Sequence, residues 1–444
     1  LLASENPGIP CGDSLAWRDE QGEMIDTIPG NGKYDIVLTN PPFGSKIVAA
    51  TGEDLASFKL AYKWKLNKAT GTFSQSDKLQ LRNIAPQVLF LERCIQLAKP
   101  GGKIGLVLPE SLVSSKTHRY VMDFMRSECH VDLVAGMPEN LFKTSGKGGT
   151  HTKTCLLVLR KKVDRQEQSG QSKLFMAEAK WCGHDSRGKS IPHDDLGTIT
   201  ENYLNFKAGK RISNTPMGFL VPDRSIAQNV LAPRYYDPSV KAELRALAKT
   251  HDLIVLGDLV NSGILKLQTG HEVGKLAYGT GTIPFVRTSD ISSWEIKLDP
   301  KHGLSEEIFS QYSAKQDVQP DDILLVRDGT YLIGTCGIVT ANDKKMVYQS
   351  HIYKIRTLPN KLGINPHLLL AILTCEIVQK QIRSRRFTQD IIDSLGDRIL
   401  ELVLPFPKST KRRKEITKTV SSSIKGRSEA RELSKTARNM VLEA

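Results

Sequence analysis

Asn40, Pro41, Pro42 and Phe43 follow the apolar run Ile36, Val37, Leu38, with Gly44 behind them. Two adjacent prolines exclude a helix or an inner strand at this point. The Asn side-chain oxygen and the carbonyl of Pro41 are acceptors, and Phe43 offers a flat apolar face. Together they suit a planar base that carries an exocyclic amino group: two acceptors take its two protons and the ring stacks on Phe43. Acceptors that grip both protons draw the nitrogen toward tetrahedral geometry. Its lone pair can then attack an electrophilic methyl carbon, the work being orientation and polar complementarity, with the methyl supplied by a sulfonium cofactor. The plain alternative is a proline-rich surface turn. At average residue usage, this tetrapeptide arises by accident in roughly one chain of this length in several hundred.

Such a corner needs a strand beneath it. Residues 34–39 read as a short buried strand, and the loop after it then lies at the carboxyl edge of a sheet, where ligands bind in open α/β folds. The polar, basic and aromatic stretch 45–82 reads as a loop or an irregular helix. Beyond it, Ile84, Val88, Leu91, Ile95 and Ala98 keep helical spacing until "KPGG" stops the helix. "KIGLVLP", "VDLVAGMP" and "TKTCLLVLRK" read as strands, with helical "RYVMDFMRSEC" among them. This alternation over 1–160 predicts an α/β sheet of the doubly wound kind. Residues 161–252 read as a connector with a hairpin at "WCGHDSRGKSIPHDDL" and a helix at "SVKAELRALAKT". Cys182, His184 and His193 are close in sequence, but a fourth zinc ligand of suitable spacing is missing there. Residues 253–408 are β-rich with helical "NPHLLLAILTCEIVQKQIRSRRF" near the end, an α+β domain. Residues 409–444 carry Ile416, Val420, Ile424 and Leu433 among polar residues and read as a basic amphipathic helix.

The chain has 444 residues, 62 Lys+Arg against 48 Asp+Glu and a net charge of +14, a balance that favours a polyanionic partner such as nucleic acid. Its seven cysteines are scattered and form no CxxC pair, which argues against a disulfide framework and for a reducing cytoplasm. No apolar run reaches the roughly 18 residues of a membrane span.

"YDIVLTNPPFG" resembles the catalytic motif of DNA adenine-N6 methyltransferases, most of all the modification subunits of type I restriction-modification systems. "PQVLFLERCIQLAKPGGKIGLVLPESLVSS", "VDLVAGMPENLF" and "TKTCLLVLRK" are similar to the elements that follow in that family. The resemblance covers residues 1 to about 160 and implies a Rossmann-like sheet, S-adenosylmethionine as cofactor and double-stranded DNA as substrate. By the same resemblance, Asn40 and the Pro41 carbonyl hold the target amino group, Pro42 shapes the loop, and Phe43 stacks on an adenine flipped from the duplex. "IPCGDSL" looks like the segment that approaches the cofactor's adenine, which implicates Asp13, with Ser14 and Leu15 beside it. The family's glycine-rich cofactor loop should precede residue 9 and is not there. "GKGGT", "YLIGTCG" and "YGTGT" do not replace it. The chain, which starts without Met, is therefore expected to be a fragment with half a cofactor pocket, inactive alone.

"GTIPFVRTSDI" and "DDILLVRDGTYLIGTCGIV" resemble the target-recognition domains of type I specificity subunits, and "LVLPFP" their passage into a spacer helix. The resemblance implies a DNA-reading domain fused behind the methyltransferase. Arg287, Thr288, Ser289 and Arg327 are then candidates for base or phosphate contacts, and Arg383, Arg385 and Arg386 for backbone contacts. Specificity or restriction subunits, and self-association through the C-terminal helix, are the expected protein partners. The competing reading is a non-catalytic DNA-binding or assembly subunit that keeps the methyltransferase shape.

Overall fold

The strand that leads to the motif, β1 (Tyr34–Thr39), pairs in parallel with β4 (Ala98–Pro109), Thr39 opposite Leu106. These elements come from a computed structural model, which describes residues 14–15, 32–43, 55–80, 84–139, 141–142, 152–164, 173–227, 230–297, 300–329, 331–389 and 392–441. Contacts divide the chain into two compact units, Leu1–Pro238 and Ser239–Ala444.

In the first unit, two further strands, β2 (Tyr62–Leu66) and β3 (Phe73–Leu79), form a hairpin where sequence suggested a loop or irregular helix. Alternation of Tyr62, Trp64 and Leu66 is the strand signal. Asn67 turns the chain, its side-chain oxygen accepting from the backbone N–H of Ala69 at 2.9 Å, and Gly71 takes φ of +71°. Trp64 packs on Tyr120 and Phe124, which gives the hairpin its apolar anchor. Helix α1 (Pro86–Leu97) starts on a proline at its first turn and buries Val88, Leu91 and Ile95 against the sheet, each contributing roughly 1.5–3 kcal/mol. Helix α2 (Arg119–Glu128) buries Val121, Met122, Phe124 and Met125.

The sheet continues through β5 (Cys129–Gly136), β6 (Thr154–Lys161), β7 (Lys173–Glu178) and β8 (Phe219–Pro222), in spatial order β1-β4-β6-β5-β7-β8. It is mixed: β6 runs antiparallel to both β4 and β5, and β8 antiparallel to β7. Leu157 and Leu159 of β6 are buried on one face, and Leu156 and Val158 on the other pack partly buried against a second cluster, so the strand is covered on both sides and its pattern carries no information on direction. Two strands, β7 and β8, lie within the stretch 161–252 that sequence marked as a connector, so that stretch is shared between the sheet and the second unit. The expected hairpin pairs Cys182–His184 with Ser190–Asp194.

The second unit contains a four-stranded sheet of β9 (Leu265–Thr269), β11 (Ile323–Val326), β12 (Cys336–Ile338) and β14 (Ile352–Thr357), in the order β9-β14-β11-β12. Short strands β10 (Ile283–Val286) and β13 (Val347–Tyr348) pair in parallel beside it. The helical stretch near 366–385 is two helices, Pro366–Thr374 and Glu376–Arg385, with Cys375 extended between them at φ −70°, ψ 154°. The terminal helix runs Thr410–Met440, capped by the Ser409 hydroxyl, and seats Ile416, Val420 and Ile424 on the second unit's core. Among the described residues, no helix is long and apolar enough to cross a membrane.

Candidate active site

β1, expected to be buried, is the end strand of the described sheet and leaves Ile36 and Leu38 60% and 76% exposed, because only one of its edges is paired; it delivers the motif loop to the carboxyl edge of the sheet. Pro41 is buried and braces the corner; Asn40 and Pro42 are exposed and Phe43 is half-buried. Phe43 meets Phe142 edge-on, ring centroids 6.1 Å apart at 73°. Phe142 follows the end of β5, so two aromatic rings from separate parts of the chain meet beside the Asn40 acceptor. The sequence reading did not single out Phe142; its signal was an aromatic six residues past a strand end, which has no local periodicity to mark it. Gly102 lets β1 lie close to β4: a Cβ there would stand 2.9 Å from the Tyr34 carbonyl oxygen.

Helix α1 pins the segments on either side of the motif. Glu92 is buried and accepts from the backbone N–H groups of Lys59 at 2.8 Å and Leu60 at 2.7 Å. Burial pushes its carboxyl pKa up, against the pull of those two backbone donors. The neighbouring Arg93 is 4% exposed, lies over the Phe58 ring and donates to the carbonyl of Leu15 at 2.7 Å. Leu15 is itself buried with Leu55, Phe58, Ala61 and Leu89, and Ser14 is exposed beside it. Asp13 lies outside the described residues. The candidate cofactor segment is thereby tied to the helix that packs behind β1.

The same edge carries a buried ionic bracket. Glu110, directly after β4, pairs with Arg234 at 2.5 Å, and Lys153 pairs with Glu178 at the end of β7. Gly136 is the necessary complement, since a Cβ there would stand 2.1 Å from the Glu178 carboxylate. Sequence pattern gave no sign of this bracket, whose members are more than 100 residues apart at the extremes.

In the second unit, Arg287 and Arg327 sit just past the ends of β10 and β11. Arg287 is steadied by Asp290, which accepts from its backbone N–H at 2.8 Å, and Ser289 donates to the same carboxylate at 3.2 Å. Thr288 opens the intervening turn. Arg327 is 3.0 Å from the Asp328 carboxylate and lies over the Tyr353 ring. Arg385 donates to Ser384 Oγ at 3.2 Å and faces Glu401 at 3.5 Å, and Arg386 lies 3.8 Å from Asp393. Arg383 is exposed on the same short helix. The structure therefore places Arg287 and Arg327 on loops, and Arg383, Arg385 and Arg386 at a helix end.

Residues 4–221 match the family model described as N-6 DNA Methylase. Over that region the chain is similar to the N-6 DNA Methylase family. No curated protein sequence matches the chain. Among solved structures, the type IIG restriction endonuclease BpuSI is similar over 92% of this chain and 50% of its own, at 13% identity and a TM-score of 0.39. The type I restriction-modification methyltransferase subunit from Streptococcus thermophilus is similar over 50% of this chain and 41% of its own, at 19% identity and a TM-score of 0.34. The HsdS subunit from Thermoanaerobacter tengcongensis is similar over 42% of this chain and 43% of its own, at 14% identity and a TM-score of 0.26. The chain spans half or less of the length of these three proteins.

Proposed function

We propose that this protein transfers a methyl group from S-adenosylmethionine to N6 of an adenine flipped out of duplex DNA, within a restriction-modification or phage-defence system. Residues 239–444 serve as its target-recognition unit. What supports the reading above all is the motif loop: Asn40 is presented to solvent at the sheet's carboxyl edge, on a corner braced by buried Pro41, beside the Phe43–Phe142 pair. The Asn40 oxygen and the Pro41 carbonyl orient the amino nitrogen, and the aromatic pair receives the base. The pinned Ser14–Leu15 segment suits a donor seated at this edge, with Asp13 as the acidic contact; the donor supplies an electrophilic methyl on a sulfonium. Specificity and restriction subunits are the partners this role calls for.

The test is methyl transfer by the full-length gene product, supplied with S-adenosylmethionine, to mixed-sequence duplex DNA, read as 6-methyladenine by mass spectrometry. Asn40→Ala removes one of two polar contacts made to the reacting nitrogen and lowers the rate about 100-fold, with DNA binding retained. Undiminished transfer by that variant overturns the assignment.

A further inference from the structure

The four-stranded sheet of the second unit has two unlike ends. At one end, β9 stops at Thr269, β11 stops at Val326, β12 begins at Cys336 and β14 begins at Ile352, and the pairing places these four side by side. β10 ends there too, since Gln349 N–H donates to the Val286 carbonyl at 2.9 Å. The short turn 349–351 is the hub. Its His351 carbonyl accepts from Arg327 N–H at 2.9 Å, and its approach to Gly270 is so close that a Cβ would stand 2.3 Å from the Gln349 carbonyl oxygen. A turn clamped in this way is a rigid mount for its side chains.

Those side chains are of the kinds that read base edges. Ser350 hydrogen-bonds Glu272, and Gln349 Nε2 lies 3.5 Å from the same carboxylate. His351 Nδ1 is 2.9 Å from Asp328 Oδ2, which also holds Arg327. Asp328 and Asp290 are buried at 4% and 7% exposure, and each holds the arginine beside it. Two apolar tips rise from the loops on either side: Leu276 is 97% exposed and Tyr331 is 83% exposed. Single exposed apolar residues are ordinary. Two on loops that flank a fixed polar hub are the arrangement by which proteins enter a groove.

The opposite end gathers Asp317, Asp321 and Asp322, and the two cations packed among them are spent internally. Arg356 is forked onto Asp322 at 2.7 and 2.8 Å, and Lys354 is 1% exposed with its ammonium on the Asp317 carbonyl.

We propose that the 349–351 end of this unit reads base edges in duplex DNA, with Gln349 and Glu272 setting which bases are accepted and Tyr331 and Leu276 gripping the groove. This rests on the DNA-reading role given above to residues 239–444. A Gln side chain pairs with adenine through N6 and N7, whereas a carboxylate accepts from the cytosine amino group.

The experiment selects bound duplexes from a randomised DNA library with the whole protein and compares the recovered motifs. Gln349→Glu keeps size and shape, and is expected to shift the accepted base at one or two positions by about tenfold or more, with the slope of log K against log salt unchanged. Tyr331→Ala weakens selection throughout the motif. Lys361→Ala, at the opposite end, leaves the motif as in wild type, and matching thermal melts certify that all variants are folded. An unchanged motif in folded Gln349→Glu, a uniform loss with a shallower salt slope, or a wild-type protein that selects no motif each overturns the proposal. Methyl transfer is scored separately: selective binding without transfer counts against the proposed function only, and transfer with unaltered motifs in the variants counts against this surface only.

Discussion

Replacing Phe43 and Phe142 singly and together measures how much of the site is built from the aromatic pair. At 6.1 Å and 73° the rings form an edge-to-face pair, worth about 0.5–1.5 kcal/mol beyond their burial. A nucleobase stacked on an aromatic side chain contributes about 1–3 kcal/mol by alanine substitution. Phe43→Ala should therefore lower kcat/KM for methyl transfer by roughly 5- to 150-fold, with Phe142→Ala at the lower part of that range because it lies outside the motif loop and acts through Phe43. Both rings are only half-buried, so each truncation costs little stability: a loss of about 1 kcal/mol lowers Tm by roughly 2–4 °C in a unit of this size. The double variant completes the cycle. If one ring positions the other, its loss falls short of the product of the single losses by a factor of about 2–12, the pair energy expressed as a ratio. The assay is incorporation of labelled methyl into mixed-sequence duplex DNA under kcat/KM conditions, with melts alongside. Wild-type rates in both single variants refute the reasoning, as do single losses that multiply in full. Rate losses that track a fall in Tm of 10 °C or more make the pair structural.

Glu92→Ala strips the acceptor from the buried Leu60 donor and the partly buried Lys59 donor; leaving the buried one unpaired costs about 1–3 kcal/mol, so the first unit should lose at least that much, read as a fall in denaturation midpoint, and a change below about 1 kcal/mol removes Glu92 as the anchor of 59–60. Cys94, Cys129 and Cys336 are buried thiols whose pKa burial pushes up to about 12, and fully buried Cys155 is pushed higher still, so a chromogenic disulfide reagent at pH 8 should leave these four unreacted until the protein is denatured. Asp317 is held down to about 2, first by the Gln319 amide and then by Arg356. Its folded pKa lies below the unfolded value of 3.8, so the stabilisation is complete above about pH 4 and is lost as pH falls toward 2. Arg356→Met should raise the Asp317 pKa in an NMR titration and flatten the acid limb of stability over that window.

What local sequence determined was chemistry that fits in a few adjacent residues. Asn40, Pro41, Pro42 and Phe43 carry acceptors, stiffness and a ring within one corner, and Ile84 to Ala98 announce a helix by spacing, because both are properties of neighbours along the chain. The helix and strands between 84 and 136 were legible for the same reason. Tertiary structure decided what depends on groups brought together across the chain. The direction of β6 follows from its partners, because an apolar run covered on both faces looks the same either way round. Phe142 joins Phe43 from about 100 residues away, and Arg93 finds the Leu15 carbonyl across a separation of 78. The two ends of the second sheet differ because backbone pairing gathers Gln349, Glu272 and Arg327 at one and Asp317, Asp321 and Asp322 at the other. Charge counted along the chain sums over both ends, and only the fold separates them.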